Sequence, residues 1–212
     1  LGFHGNERRY DDPRNSFLND VLVRRTGIPI ALSVLYMDVA RRAGLAMEGV
    51  NFPGHFLVRL HPSPGEAQEA DLVLDPFNGG AILRDADCRR LLERHAGPDA
   101  VLSPDIVASA DTRQILMRML VNLKRLYVRG RSFPQALEAT HLLGALDDDG
   151  LSELRDRGLL AYQMKRFPEA LRDLEAYLRG RARQSPPQDD DEREEYERIW
   201  EHVKALRRRM AG

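Results

Sequence analysis

The sequence GVNFPGHFLVRL, residues 49–60, places a histidine inside an apolar run typical of a β-strand. A second such run, LVLDPFNGG at residues 72–80, carries an aspartate where the strand pattern ends. The polar stretch between them, HPSPGEAQEAD at residues 61–71, is a natural hairpin loop, so the two runs predict an antiparallel pair. His55 and Asp75 would then lie at the ends of neighbouring strands, where a histidine and an acid can form two thirds of a catalytic triad.

A buried helix precedes this pair. The sequence TGIPIALSVLYMDVARRAGL, residues 26–45, predicts a helix over residues 29–43, with Pro29 in the first turn and Gly44 at the end. In a Cys–His–Asp arrangement the thiol attacks an acyl carbon, the histidine takes its proton and the acid orients the imidazole. A helix N-terminus favours the thiolate, so the order of helix, His55 and Asp75 suits such a site.

The second half of the chain contains a helical repeat. RSFPQALEATHLL at residues 131–143 matches KRFPEALRDLEAYL at residues 165–178, with an offset of 34 residues. This is the tetratricopeptide period, in which small alanines let paired helices pack closely. EREEYERIWEHVKALRRRM, residues 192–210, is the expected capping helix, and QSPPQDDDE, residues 184–192, is the expected linker before it.

Composition narrows the function classes. The 212 residues carry a net charge of −1 and one cysteine, which excludes an internal disulfide and a cysteine-rich zinc site and fits the cytoplasm. No apolar run is long enough for a membrane span, and no basic excess indicates nucleic acid. The histidines lack metal-ligand spacing, so we expect no metal and no cofactor. Because the first residue is Leu1, we expect that upstream residues are missing.

The three motifs together resemble the transglutaminase-like fold and, more narrowly, the SirB1-type proteins, in which tetratricopeptide-like repeats follow the core. The resemblance covers nearly the whole chain. It implies an α+β fold with a papain-like core, a small antiparallel sheet and an all-α helical array. It also implies a Cys–His–Asp core in which His55 matches the histidine and Asp75 the aspartate. The nucleophile would lie just after Gly27, where this chain has Pro29 and Ile30.

Four further residues are candidates for the site or its surroundings, namely Ser33, Cys88, Asn78 and Asn19. Ser33, one turn into the same helix, is the alternative nucleophile, although a bond to the backbone is its more ordinary role. Cys88 is expected to be a buried core residue. Asn78 and Asn19 could line the same pocket, Asn19 sharing a helix face with Asn15. A hydrogen-bonded core histidine and a turn-forming aspartate remain the simpler interpretation of the central pair.

The sequence therefore predicts two domains, a transglutaminase-like domain over residues 1–108 and a helical domain over residues 109–212. The preferred function is a non-catalytic interaction or regulatory protein with a protein or peptide partner in the helical groove. The first alternative is a hydrolase or acyltransferase that uses His55 and Asp75 with Ser33 or water. The second is a purely structural scaffold without an open cleft near His55.

Overall fold

A computed structural model describes residues 1–62, 71–147, 150–184 and 189–211. Most of the expected hairpin loop and part of the expected linker lie outside these residues. By its internal contacts the chain forms two compact units, Leu1–Asn122 and Leu123–Gly212. The predicted fold class is confirmed, since a small antiparallel sheet with helices is followed by an all-helical region.

The sheet of the first unit has five antiparallel strands in the order β6-β5-β4-β3-β7. A short parallel pairing of β1 with β2 lies outside this sheet. The strand bounds are β1 His4–Gly5, β2 Thr26–Gly27, β3 Met47–Val50, β4 Leu57–Leu60, β5 Leu72–Asp75, β6 Ala81–Leu83 and β7 Ser109–Ala110.

Eight α-helices are described, three in the first unit, one that contributes residues to both units and four in the second unit. The helix bounds are α1 Leu18–Arg24, α2 Pro29–Arg42, α3 Asp85–Ala96, α4 Thr112–Arg129, α5 Phe133–Leu146, α6 Leu151–Gln163, α7 Phe167–Arg183 and α8 Asp190–Ala211.

The helix α2 begins and ends as its sequence dictates. Ile28 is its extended N-cap and Pro29 occupies the first turn, where its missing N–H would have no helical partner. Arg41 and Arg42 lie in the last turn beside the negative end of the helix dipole. Gly44 follows with a φ of +79°, a conformation that favours glycine.

Two apolar clusters hold the first unit together. The first joins α2 to residues before β4, and the second joins the sheet to α3. Their buried members are Val21, Ile28, Ile30, Ala31, Leu32 and Phe56 in the first cluster, and Val50, Phe52, Leu57, Cys88, Leu91 and Leu92 in the second. Strand alternation directs Leu57 toward α3, and Leu57 and the adjacent Phe56 belong to different clusters.

His61, directly after β4, links two carboxylates. Its Nδ1 lies 3.0 Å from Asp71 Oδ1, and its Nε2 lies 3.1 Å from Glu48 Oε2. The nearby carboxylate of Glu48, and secondarily that of Asp71, raises the pKa of His61 above 6.5. The folded state therefore binds this proton more tightly than the unfolded state does.

The stabilisation from His61 should be complete below pH 6.5 and lost as the pH rises through the raised pKa of the folded state. We expect the stability difference between the wild type and His61→Gln to shrink between about pH 5.5 and about pH 9. Urea unfolding of both proteins across this range measures the difference. A difference that is constant or grows with pH would contradict the assignment.

The second unit is a set of helical pairs. Ala136 of α5 and Ala170 of α7 are the small residues of the repeat, and both are fully buried. Gly158 of α6 makes a further close approach, because a Cβ there would lie 2.7 Å from the Leu174 side chain and 3.1 Å from its backbone nitrogen. The contact between α6 and α7 therefore leaves no room for a methyl group.

Gly158→Ala should accordingly lower the free energy of unfolding by about 1–3 kcal/mol through overpacking. Gly144→Ala is the matched control, since it also lies within a helix but its Cβ would meet its nearest neighbour, Glu153, at an ordinary 3.8 Å. This control should be neutral or stabilising by about 0.5–1 kcal/mol. Equal effects of the two substitutions in thermal unfolding would refute the packing argument.

The division into units lies further along the chain than the predicted domain boundary at residue 108. The composition changes where the helical residues begin, but Ile115 and Met119 of α4 pack against the apolar cluster of the first unit. The first part of α4 is therefore a structural member of that unit.

Candidate active site

His55 is positioned by a tight loop before β4. The backbone N–H of His55 donates to the carbonyl of Phe52 at 3.1 Å, and Gly54 between them has a φ of +66°. Arg118 of α4 donates to Asn51 Oδ1 at 2.7 Å and to the His55 carbonyl at 3.5 Å. The expectation that His55 lies within a strand is wrong, because this turn delays the strand until Leu57.

Asp75 is the last residue of β5 and is 2% exposed. Its Oδ1 lies 2.9 Å from His55 Nε2. The same carboxylate caps a 3₁₀ turn over Pro76–Asn78, as Oδ1 accepts the backbone N–H groups of Phe77 at 3.0 Å and Asn78 at 3.3 Å. Oδ2 accepts the Asn78 side-chain amide at 2.7 Å. The structure thus brings His55, Asp75 and Asn78 together.

The electrostatics favour an ionised Asp75. Burial opposes ionisation and by itself would raise the pKa of the carboxyl. The hydrogen bonds from His55 and Asn78 outweigh this effect and lower the pKa below 3.8. Because an ionised carboxylate only accepts hydrogen bonds, the Nε2 of His55 donates the proton in this hydrogen bond.

Two rings pack against the imidazole of His55. Phe77 meets it edge-on, with ring centroids 5.7 Å apart and planes at 88°. His95, from the last turn of α3, stacks on it at 6.1 Å with planes at 21°. Among the described residues, the one hydrogen bond of the His55 ring is made through Nε2, and none is made through Nδ1. The arrangement is that of a histidine base with its orienting carboxylate in place.

The candidate nucleophiles lie elsewhere. Pro29 and Ile30, at the start of α2, are buried, and neither side chain can act as a nucleophile. The Ser33 hydroxyl is fully buried and donates to the carbonyl of Phe56 at 3.4 Å, so its hydrogen bond is to the backbone and not to His55. Cys88 lies in the cluster between the sheet and α3, where burial raises the pKa of its thiol.

Asn19 makes no hydrogen bond with the described residues of the central group, His55, Asp75 and Asn78. It is exposed on α1. The helix-face argument fails because Asn15 lies in a separate 3₁₀ turn over Pro13–Asn15, and α1 begins only at Leu18. Asn15 instead ties the N-terminal segment together, since its amide donates to the carbonyls of residues 9 and 10.

Sequence reasoning missed three neighbours of the pair, namely Phe77, His95 and Arg118. Gly54, directly before His55, is the one sequence feature that indicates a closely packed neighbour at this loop. A Cβ on Gly54 would lie 2.5 Å from ring atoms of His95, so the glycine indicates a close neighbour. The sequence did not indicate which residue that neighbour would be.

Among the described residues, no group of three or more acidic, histidine or cysteine side chains is arranged to hold a metal ion. Within the same residues, no helix combines the length and apolarity needed to cross a bilayer.

Comparisons with known proteins agree with the two-part fold. Residues 1–121 match the family model of the transglutaminase-like superfamily, and residues 123–204 match a tetratricopeptide repeat model. No solved structure gives a significant match.

Several curated proteins are similar to this chain. A UPF0162 protein of Xylella fastidiosa (strain Temecula1) is 42% identical over 181 residues, which cover 84% of this chain and 63% of that protein. A UPF0162 protein of Vibrio cholerae is 34% identical, with 84% and 64% covered. Human F-box only protein 21 is 31% identical over 176 residues, 80% of this chain and 27% of that protein.

The chain thus spans less than two thirds of the length of these relatives. The matched family model covers more than half of the chain and includes the loop of His55, the β5 strand and the start of α2. The chain therefore belongs to the transglutaminase-like superfamily, and a tetratricopeptide repeat region follows its core.

Proposed function

We propose that this protein is a non-catalytic interaction or regulatory protein whose transglutaminase-like core has lost its nucleophile. Its helical region would hold a protein or peptide partner. The SirB1-type resemblance fits this combination of domains. The observation that carries the proposal is the start of α2, where Pro29 and Ile30 occupy the expected nucleophile position.

The surroundings of the pair support the loss of chemistry. A thiol or hydroxyl must lie within hydrogen-bond reach of the histidine to be activated. Ser33 is bonded to the Phe56 carbonyl and Cys88 packs against Leu91 and Leu92, in the cluster that joins the sheet to α3. The buried polar groups of Asp75 and the Nε2 of His55 have hydrogen-bond partners, which is also what a purely structural role requires.

The helical unit offers an ordered surface for a partner. Lys124 of α4 pairs with Glu153 at 3.0 Å and with Asp156 at 2.7 Å on α6, and Arg155 of α6 pairs with Glu195 of α8 at 2.8 Å. These ion pairs join α4 to α6 and α6 to α8, where α4 and α6 are the first helices of the two helical pairs and α8 follows them. Tetratricopeptide repeats generally mediate protein–protein contacts, and such a fixed face suits that role.

Partner capture with the whole chain tests the proposal. We expect specific proteins from native lysate to be recovered by the wild type, and their chemical cross-links to map to residues 123–211. Ser152→Arg, an exposed change on α6, should weaken the recovery, whereas Asn19→Arg on α1 should not. Repeated recovery of nothing, or cross-links confined to residues 1–122, would overturn the proposal.

One observation favours the rival hydrolase or acyltransferase. His55 keeps its carboxylate partner and an Nδ1 that no described residue engages, so the pair could act as a base toward water. This candidate predicts turnover that depends on His55.

A further inference from the structure

His95 covers one face of the His55 imidazole. It lies in the last turn of α3, far along the chain from the loop of His55, and the two rings stack with their centroids 6.1 Å apart and planes at 21°. His55 is 7% exposed, whereas His95 is an exposed residue. His95 is therefore the layer between solvent and this face of His55.

The loop is shaped to receive the His95 ring. Gly54 adopts a φ of +66°, and a Cβ at this position would lie 2.5 Å from both Cγ and Nδ1 of His95. Any other residue at position 54 would push the ring away and would be strained as well. The stacked position is thus a built feature of the site and not a chance contact of an exposed side chain.

Charge makes this contact sensitive to protonation. The groups that act on His95 are Arg94 on its own helix and His55 on the facing loop, and Asp75 lies behind His55 on its Nε2. Burial, and then the two cationic or potentially cationic neighbours, lower the pKa of His95 below 6.5. The stacked ring is therefore held in its neutral form at neutral pH.

We propose that His95 is a pH-operated cover of the His55–Asp75 pair. The neutral ring stays stacked and shields His55. Burial in the stack disfavours the charged ring, and His55 and then Arg94 repel it, so the protonated ring leaves the stack and opens that face of His55 to a ligand. The inference concerns the first unit alone and does not depend on the proposed role of the helical region.

The direction follows from linkage. The pKa of His95 is lower in the covered state than in the open state, so protonation of His95 favours the open state. The covered state is most favoured above pH 6.5 and loses its advantage as the pH falls through the lowered pKa. Each unit by which the two pKa values differ corresponds to about a tenfold gain in the open population at acid pH.

Solution NMR of the whole chain tests this cover. A neutral nitroxide in the buffer relaxes solvent-exposed protons, and its effect on the His55 ring protons reports how well they are shielded. We expect strong shielding at about pH 7.5 and a several-fold faster relaxation at about pH 5. Equal relaxation at both pH values in the wild type would overturn the proposal.

Two variants distinguish movement of the His95 ring from a general loosening of the fold at low pH. His95→Phe keeps a stacking ring that cannot titrate, and its His55 ring should stay shielded at both pH values. His95→Ala removes the ring and should leave His55 exposed at both. A pH response in His95→Phe that equals the wild-type response would also overturn the proposal, and unchanged backbone amide spectra confirm that each variant is folded.

Discussion

Replacing Asp75 with alanine is expected to lower the free energy of unfolding by about 3 kcal/mol, because it removes a buried acceptor that binds the buried His55 and three further donors. The carboxylate is 2% exposed and accepts from His55 Nε2, from two backbone N–H groups and from the Asn78 amide. The largest part of the loss comes from His55, the buried donor, because the exposed Asn78 amide can donate to water instead. Urea unfolding of the wild type and variant measures the loss.

Two controls separate charge from hydrogen bonding. Asp75→Asn keeps one oxygen acceptor and should lose less stability than the alanine variant. Asn78→Ala removes one donor at the edge of the site and should cost about 1 kcal/mol. The lowered pKa of Asp75 also predicts how this stabilisation depends on pH. The contribution of Asp75 to the free energy of unfolding is present above pH 3.8 and is lost as the pH falls through the lowered pKa. An alanine variant as stable as the wild type would contradict the description of the site.

Replacing Arg157 with leucine is expected to cost about 3 kcal/mol, because it leaves a charge at Asp173 without its main partner inside the helical unit. Asp173 is 2% exposed. Arg157 donates to it twice, from Nε to Oδ2 at 2.5 Å and from Nη2 to Oδ1 at 3.0 Å. Arg172 also bonds this carboxylate at 3.0 Å, but its own side chain is 67% exposed. Thermal and urea unfolding of the variant measure the cost.

The matched control is Arg172→Leu, which removes the exposed partner and should cost less than about 1 kcal/mol. In the Arg157→Leu background, Asp173→Asn should recover part of the lost stability, since it removes the unpaired charge. If the double variant were less stable than Arg157→Leu alone, the account of this ion pair would be refuted.

Much of the fold could be predicted because local patterns determine it. Pro29 and Gly44 mark the ends of α2, and the repeat of Phe133 and Ala136 in the later helices gives the helical region. Asp75 could be placed at a strand end because an Asp-Pro pair both ends a strand and starts a turn. These signals depend on only a few neighbouring residues, so a single sequence is enough to detect them.

The remaining features depend on contacts that a single sequence does not show. The apolar residues around His55 predict a strand. Phe52 and Phe56 are indeed buried, but they lie in the turn before β4 and not in the strand itself. The stack with His95 depends on the orientation of α3 against the sheet, which no local pattern encodes. The spacing that puts Asn15 and Asn19 on one face requires a continuous helix, but the chain has a separate 3₁₀ turn at Asn15.

We propose that the pair of His55 and Asp75 lacks a nucleophile and does no acyl chemistry. The most direct test measures turnover of an acyl ester and a glutamine-amide probe by the wild type and His55→Ala, with intact-protein mass spectrometry to detect an acyl adduct. The account predicts equal rates for both proteins and no adduct on Ser33 or Cys88. Wild-type turnover or an acyl adduct that disappears in His55→Ala would contradict it and establish the protein as an enzyme.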